Sequence, residues 1–444
     1  MTRKIITLAI FFIVHCQLSI VNCYADDSVK HVKTGLTFGA LPAIAYDTDI
    51  GFKYGALANF YQYGDGSTYP RYLHSFYFEA NRTTKGSGLL QFIYDSEYLI
   101  PNIRLTAEAS YFTEQALDFY GFNGYKAWYN PDFEDQAFEG SSRMFYRHDR
   151  RVLRLRSDFQ GSIIGKKLRW LAGFEFNGFN VGRVNIDKLN KGKSEKDKIN
   201  DVPTLYDKFV GWGVISGDEK NGGNHNMFKF GLVYDTRDNE PNPMSGIWSE
   251  IILLTAPSFT GNEPSYTKLA MTHRQYFTLV DEVLNVAVRL SYQPKIGGKI
   301  PFYALPYVYN TSVNILRDGL GGAKTMRGIL RNRVTGDDMF YGNVELRWKF
   351  FRKVVGKQHL YFALSPFVDF GQVTREYKFM YSLSSDSEAA NWFTNIDSEK
   401  MHVSYGAGIS GALNHNFVAH VNYGRAADKR DGKSGLYIGL NYLF

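Results

Sequence analysis

Three groups of residues in this 444-residue chain have types and spacing suited to fixed electrostatic contacts. The first is Thr325-Met326-Arg327-Gly328-Ile329, which follows the run Gly319-Leu320-Gly321-Gly322. Arginine presents a rigid fork of donors that matches a carboxylate. A glycine beside it lets a loop tip turn sharply. Alone, Arg327 reads as a solvated loop arginine. The second group supplies acids: Asp369 within Phe367-Val368-Asp369-Phe370-Gly371, and Glu345. The third is Tyr234-Asp235-Thr236-Arg237-Asp238-Asn239, followed by Pro243 and Gly246. There Asp235, Arg237 and Asp238 suit a hairpin held by local side-chain bonds. None of this is the chemistry of turnover. The chain has no Gly-x-Ser-x-Gly elbow, no His-Glu-x-x-His and no evident Ser/His/acid trio. His273, His415 and His420 read as strand or turn residues, so no enzyme activity, metal or cofactor is expected.

These groups need a scaffold, and the chain offers strands. From about Gly35 onward it divides into sixteen alternating segments: 35–46, 50–63, 72–83, 87–98, 102–113, 147–160, 168–181, 226–236, 246–256, 266–278, 283–294, 339–350, 359–373, 402–413, 417–425 and 434–444. Leu284, Val286, Val288 and Leu290 oppose Asn285, Ala287, Arg289 and Ser291. Phe340, Val344, Leu346, Trp348 and Phe350 oppose Tyr341, Asn343, Glu345, Arg347 and Lys349. Large apolar residues on one face and charges on the other suit lipid outside and a polar lumen inside. The last segment runs flush to Phe444, with Leu436, Ile438, Leu440, Tyr442 and Phe444 on one face. It reads as the closing strand of a transmembrane β-barrel. The long connections at 114–146, 182–225, 295–338, 374–401 and 426–433 all follow odd-numbered strands. With both termini in the periplasm they lie outside, as outer-membrane barrels require.

Bulk properties agree. Arg3 and Lys4, the apolar run Ile5 to Val14, and Cys23-Tyr24-Ala25 form a signal peptide over 1–25. A lipoprotein reading at Cys23 is a minor alternative. Residues 26–34 form a short periplasmic segment, and 35–444 the barrel. Both cysteines, Cys16 and Cys23, fall in the signal, so disulfides do not hold the exported fold. Mean hydropathy is −0.29, an average that conceals alternating strands. The chain has 31 Tyr, 34 Phe and 42 Gly, which suits aromatic girdles and tilted strands. Net charge is +7, and no basic stripe suggests nucleic acid.

The Gly-Gly run with Arg327-Gly328, the Asp369 strand, the Asp235–Asp238 turn and terminal Phe444 together resemble the BamA/TamA-like barrels, the bacterial surface antigen family. The resemblance is specific over 226–444 and mostly pattern-level over 35–225. It implies a single sixteen-stranded antiparallel transmembrane barrel with a long loop folded into the lumen. It further implies that Arg327 reaches the inner wall at Asp369 and Glu345. Met326 and Ile329 depart from the usual Val and aromatic. The expected setting is the outer membrane of a Gram-negative bacterium. Members that assemble or secrete proteins carry periplasmic POTRA modules, for which the segment before the first strand has no room.

A barrel of this kind closes where its first and last strands meet. Pro42 cannot donate a ladder bond there, and Gly39 and Gly435 weaken packing near the same seam. With Phe444 they mark a lateral seam where a client strand can pair by β-augmentation. The expected work is assisting insertion or translocation of a protein or lipid client. The expected partners are outer-membrane lipids and a periplasmic or lipoprotein partner. The alternative is a passive pore narrowed by its own inserted loop.

Overall fold

The computed structural model describes residues 32–444, apart from residues 70, 166, 241, 312–317, 356–357, 381–386, 395 and 414–416. The signal assigned to 1–25, residues 26–31 and His415 lie outside the described residues.

One antiparallel sheet closes on itself. Its first strand is split into β1a (Leu36–Pro42) and β1b (Ala45–Asp47). β2 (Gly51–Gln62), β3 (His74–Thr83), β4 (Ser87–Ile100) and β5 (Ile103–Asp118) follow. Next come β6 (Arg147–Ile164), β7 (Leu168–Gly182), β8 (Gly222–Asp235), β9 (Gly246–Ala256) and β10 (Tyr266–Val280). The eleventh strand is also split, into β11a (Leu284–Gln293) and β11b (Lys295–Gly298). β12 (Asp338–Val355), β13 (Gln358–Arg375), β14 (His402–Leu413), β15 (Phe417–Ala426) and β16 (Ser434–Leu440) complete sixteen strands. Each pairs with its sequence neighbours, and β16 meets β1b. No helix among the described residues is long and apolar enough to cross a membrane; the strands cross it.

The alternation sorts the faces as the sequence indicates. Asn285, Ala287, Arg289 and Ser291 are buried inside, while Leu290, Val344, Trp348 and Phe350 are exposed outside. Several strands outrun their expected limits. β5 continues to Asp118 because a bulge between Glu114 and Leu117 resets its alternation, after which Leu117 and Asp118 pair with His148 and Arg147. β8 begins at Gly222 because the polar stretch there pairs with Gly178, Phe179 and Asn180. The end of the chain departs most. The strand expected over 434–444 stops at Leu440. Asn441 adopts φ 64°, in the left-handed region that Asn tolerates. Tyr442 and Phe444 thereby leave the lipid face for the lumen.

The outer end is closed by aromatic packing. Phe119, Phe122 and Phe145 from the loop after β5 join Phe209 and Trp212 from α1 (Leu205–Gly211) and its C-cap. Phe302 and Tyr303, after β11b, and Tyr377 and Trp392, after β13, belong to the same cluster. Phe209 lies 5.5 Å from Phe119 edge to face, and Phe122 lies 4.8 Å from Tyr377. Aromatic rings bury large apolar areas, and such edge contacts add to that burial. Four outer loops therefore form one lid. Replacing Phe209 with alanine is expected to cost ~3–5 kcal/mol of lid packing. Limited proteolysis of the embedded protein should then cut residues 119–146 and 183–221 faster, with the strands still protected. An unchanged cutting rate would mean that Phe209 does not hold the lid.

Candidate functional site: an inserted loop and an incomplete seam

The connection between β11b and β12 does not stay outside. Its residues 318–335 are almost wholly buried and pack against the inner wall. The turn that carries it inward uses glycines where side chains have no place. Gly328 has φ 93°, and a Cβ on it would stand 2.4 Å from the Gly424 carbonyl carbon in β15. Met326 and Ile329, flanking the tip, are fully buried with Leu320, Val334, Met339, Tyr341 and Val373. The residues that depart from the usual family pattern thus fill an apolar contact.

Between them, Arg327 reaches the wall. Its Nε donates to Asp369 Oδ2 and its Nη2 to Asp369 Oδ1, both at 2.9 Å. The Arg327 backbone N–H also donates to Asp369 Oδ2 at 2.9 Å. Nη1 donates to Glu345 Oε2 at 2.9 Å. The guanidinium lies 3.4 Å from the Phe367 ring centroid, a stacking that suits a cation on a π-face. Asn343 donates to Asp369 Oδ1 at 2.8 Å and to the Thr325 carbonyl at 2.7 Å. Glu345 is shared with Arg347 at 2.8 Å. Two arginines and two carboxylates balance, and Arg327 is 1% exposed. Breaking such a buried set from one side leaves an uncompensated charge.

A second contact on the opposite wall escaped the sequence reading. Arg331 pairs with Glu114 of β5 and, at 2.6 Å, with Asp318 in the same loop. Arg150 of β6 meets the same Glu114 at 2.5 Å. Arg333 donates to the carbonyls of Gly124, Ala127 and Arg430 at 2.8, 3.0 and 2.9 Å, tying the loop to the lid. The one available signal was the inward parity of Glu114 and Arg150. Nothing around Arg331 marked it as their partner.

The hairpin motif is local. Arg237 forks onto Asp235 at 3.0 and 2.9 Å and stacks over Trp248 at 4.4 Å. Asp238 Oδ1 accepts from the N–H groups of Asn239, Met244 and Ser245 at 2.9, 3.0 and 3.2 Å. His273 Nδ1 lies 2.7 Å from Ser249 Oγ on the outer face. Among the described residues, no group of three or more His, Cys, Asp or Glu is placed to hold a metal.

The seam is unequal along its length. At its outer end, Asp47 and Tyr46 of β1b pair with Tyr437 and Ile438. Thr48 reinforces them, its backbone N–H donating to the Leu436 carbonyl at 3.1 Å and its Oγ1 accepting from Leu436 N–H at 2.7 Å. Below, β1a pairs only with β2 among the described residues. Ala43 N–H donates toward β2 at 2.9 Å, so the backbone groups of alternate residues Leu36, Phe38, Ala40 and Pro42 face the seam. Pro42 brings no donor to that edge, and Gly39 has nothing within 4 Å of where its side chain would stand. Leu36 and Phe38 are 64% and 74% exposed. Gly435 makes room for the Tyr437 hydroxyl, 2.1 Å from its would-be Cβ. That hydroxyl accepts from Gly328 N–H at 3.0 Å. Phe444 is not on the seam. Its carbonyl accepts from Arg347 at 2.9 Å and its ring lies 4.9 Å from the Arg289 guanidinium.

Replacing Arg327 with alanine is expected to destabilise the barrel by ~3–5 kcal/mol, since Asp369 and Glu345 stay buried. Lysine should lose less, keeping the charge without the fork. Urea unfolding in detergent micelles, read by tryptophan fluorescence, checks the order wild type, lysine, alanine.

The model of the Omp85 superfamily domain matches residues 102–444, well over half the chain. No curated protein matches it. Among solved structures, the chain is similar to BamA from Haemophilus ducreyi lacking POTRA domains 1-3, with a TM-score of 0.55 and 14% identity, covering 92% of this chain and 71% of that one. It is also similar to CdiB from Escherichia coli, with a TM-score of 0.52 and 10% identity, covering 92% of this chain and 63% of that one. The chain thus spans less than two thirds of that CdiB. At these identities the likeness is one of fold.

Proposed function

This chain belongs to the Omp85 superfamily, and on that footing we propose that it assists insertion or translocation of a protein client at the outer membrane. Barrels of this family reside in the Gram-negative outer membrane and serve protein insertion and transport. For this chain the route we favour is the seam rather than the lumen. The observation that carries the reading is the edge of β1a, which has one ladder partner and leaves alternate backbone groups of Leu36, Phe38 and Ala40 turned outward. An unpaired edge is a template for another strand. It lies in the periplasmic half of the wall, where a client arriving from the periplasm meets it. A protein or lipoprotein partner on that side would deliver the client.

A passive pore is the second reading. The aromatic lid and the buried loop after β11b both work against it, because each fills the path along the barrel axis. A catalytic role has no comparable support.

The test uses a photo-reactive amino acid at Phe38, on the free edge, and at Phe78, an outward residue of β3 paired on both sides. Cross-linking in living cells should give client-protein adducts from position 38 that position 78 does not give. Identical adduct patterns at the two positions would sink the seam reading.

A further inference from the structure

The outer rim beside the seam holds charged residues that client handling does not use. At several points of the rim, cations near strand ends face carboxylates. Arg151 meets Asp149 at 3.4 Å, Arg183 meets Asp201 at 2.5 Å, and Arg375 meets Asp338 at 2.6 Å. Lys295 pairs with Asp337, and Lys299 with Glu219. Exposed cations without an ion pair among the described residues also stand elsewhere, such as Lys220 before β8 and Lys400 before β14, but four of them flank the seam. Arg82 at the end of β3 and Lys85 in the turn after it are exposed, as are Arg425 at the end of β15 and Lys433 in the turn before β16. None of the four makes an ion pair with a carboxylate among the described residues. Lys85 donates to the Thr48 carbonyl at 2.7 Å. In that turn Asp49 makes no ion pair with Lys85, its Oδ2 lying against the inserted loop, 3.1 Å from where a side chain on Gly322 would stand.

Parity fixes which way the two arginines look. Arg82 shares its face with Phe76, Phe78 and Ala80, and stands opposite Tyr54 of β2, which is 49% exposed. Arg425 shares its face with Tyr423 and stands opposite Tyr405 of β14, each about half exposed at 51% and 50%. These are lipid-facing positions at the level of an interfacial tyrosine girdle. The two pairs flank β16, β1b and β2, and strands are spaced about 4.8 Å apart. They are therefore on the order of 20 Å apart, a span suited to a broad, several-chained lipid rather than to a small ion.

We propose that Arg82, Lys85, Arg425 and Lys433 form a binding site for a phosphorylated glycolipid of the outer leaflet, seated against the locked end of the seam. The cations take the phosphates, Tyr54, Tyr405 and Tyr423 line the sugar–acyl boundary, and the apolar wall below takes the chains. This site stands whether or not the chain handles clients, because it needs only the barrel and its orientation.

The test places the full protein in nanodiscs and measures its retention of purified bis-phosphorylated lipid A by native mass spectrometry. Dephosphorylated lipid A and millimolar inorganic phosphate serve as comparison ligands. Each cation near an anionic headgroup contributes modestly, so changing all four to glutamine should weaken retention about tenfold or more. The double variant Arg151→Gln, Arg375→Gln should bind as wild type does. Equal retention of the two lipid A forms by the unaltered protein would overturn the proposal, without any variant having to fold. Equal losses in the two variant sets would overturn it as well. Competition by inorganic phosphate alone would assign the site to the free anion rather than to the lipid.

Discussion

A charge cannot sit inside a barrel unless something answers it, and Arg327 between Asp369 and Glu345 is where that constraint shapes the molecule most. The three groups exclude water and fix one another through five bonds, counting Arg347 to Glu345. Buried ion pairs add little net stability, because desolvation offsets attraction. Their effect is positional. Any sliding of the loop would strand a carboxylate on the wall or a guanidinium in the lumen. The loop tip therefore has one seat, and Gly328 pressed against Gly424 makes that seat tight.

The same loop fixes the seam from inside, but only at one end. Gly322 lies beside Asp49 in the β1b–β2 turn, and Gly328 bonds Tyr437 in β16. Both seam strands are thus held by one loop at the outer end. Toward the periplasm nothing comparable is found among the described residues. Continuing the β16–β1b register would set Tyr442 opposite Pro42 and Phe444 opposite Ala40. That register fails for two local reasons. Pro42 offers no donor on the seam side, and Asn441 turns the chain inward where Arg347 and Arg289 receive Phe444. The edge of β1a is left open as a consequence of its own partners' preferences.

Much of this was legible in the sequence, and what was not has physical causes. Strands such as β11a and β12 could be read because lipid and lumen impose opposite chemistry on alternate residues. Sixteen strands and the sidedness of their loops followed from that alternation. The path of Tyr442 and Phe444 could not be read, because period two runs unbroken through Asn441. Only the left-handed turn and the arginines waiting inside decide it. The extension of β5 was hidden by its bulge. The Arg327 seat was visible because Arg327, Asp369 and Glu345 stand in recognisable surroundings. The Arg331–Glu114–Arg150 contact was not, because its members are distant in sequence and lie in no motif.

These two seats together say how the barrel can move. Arg327 and Arg331 are four residues apart, yet they bind opposite walls, β12 and β13 on one side and β5 on the other. The loop is a crossbar rather than a plug on a hinge. Widening the barrel at that level would pull one arginine from its carboxylates, at a cost of several kcal/mol. The lid above adds a second restraint across four loops. Neither restraint reaches the periplasmic half of the seam. There β1a has β2 as its one ladder partner among the described residues, which form no ladder bond between it and β16. On the proposed reading, a client strand would enter at that edge while the loop and lid hold the outer rim.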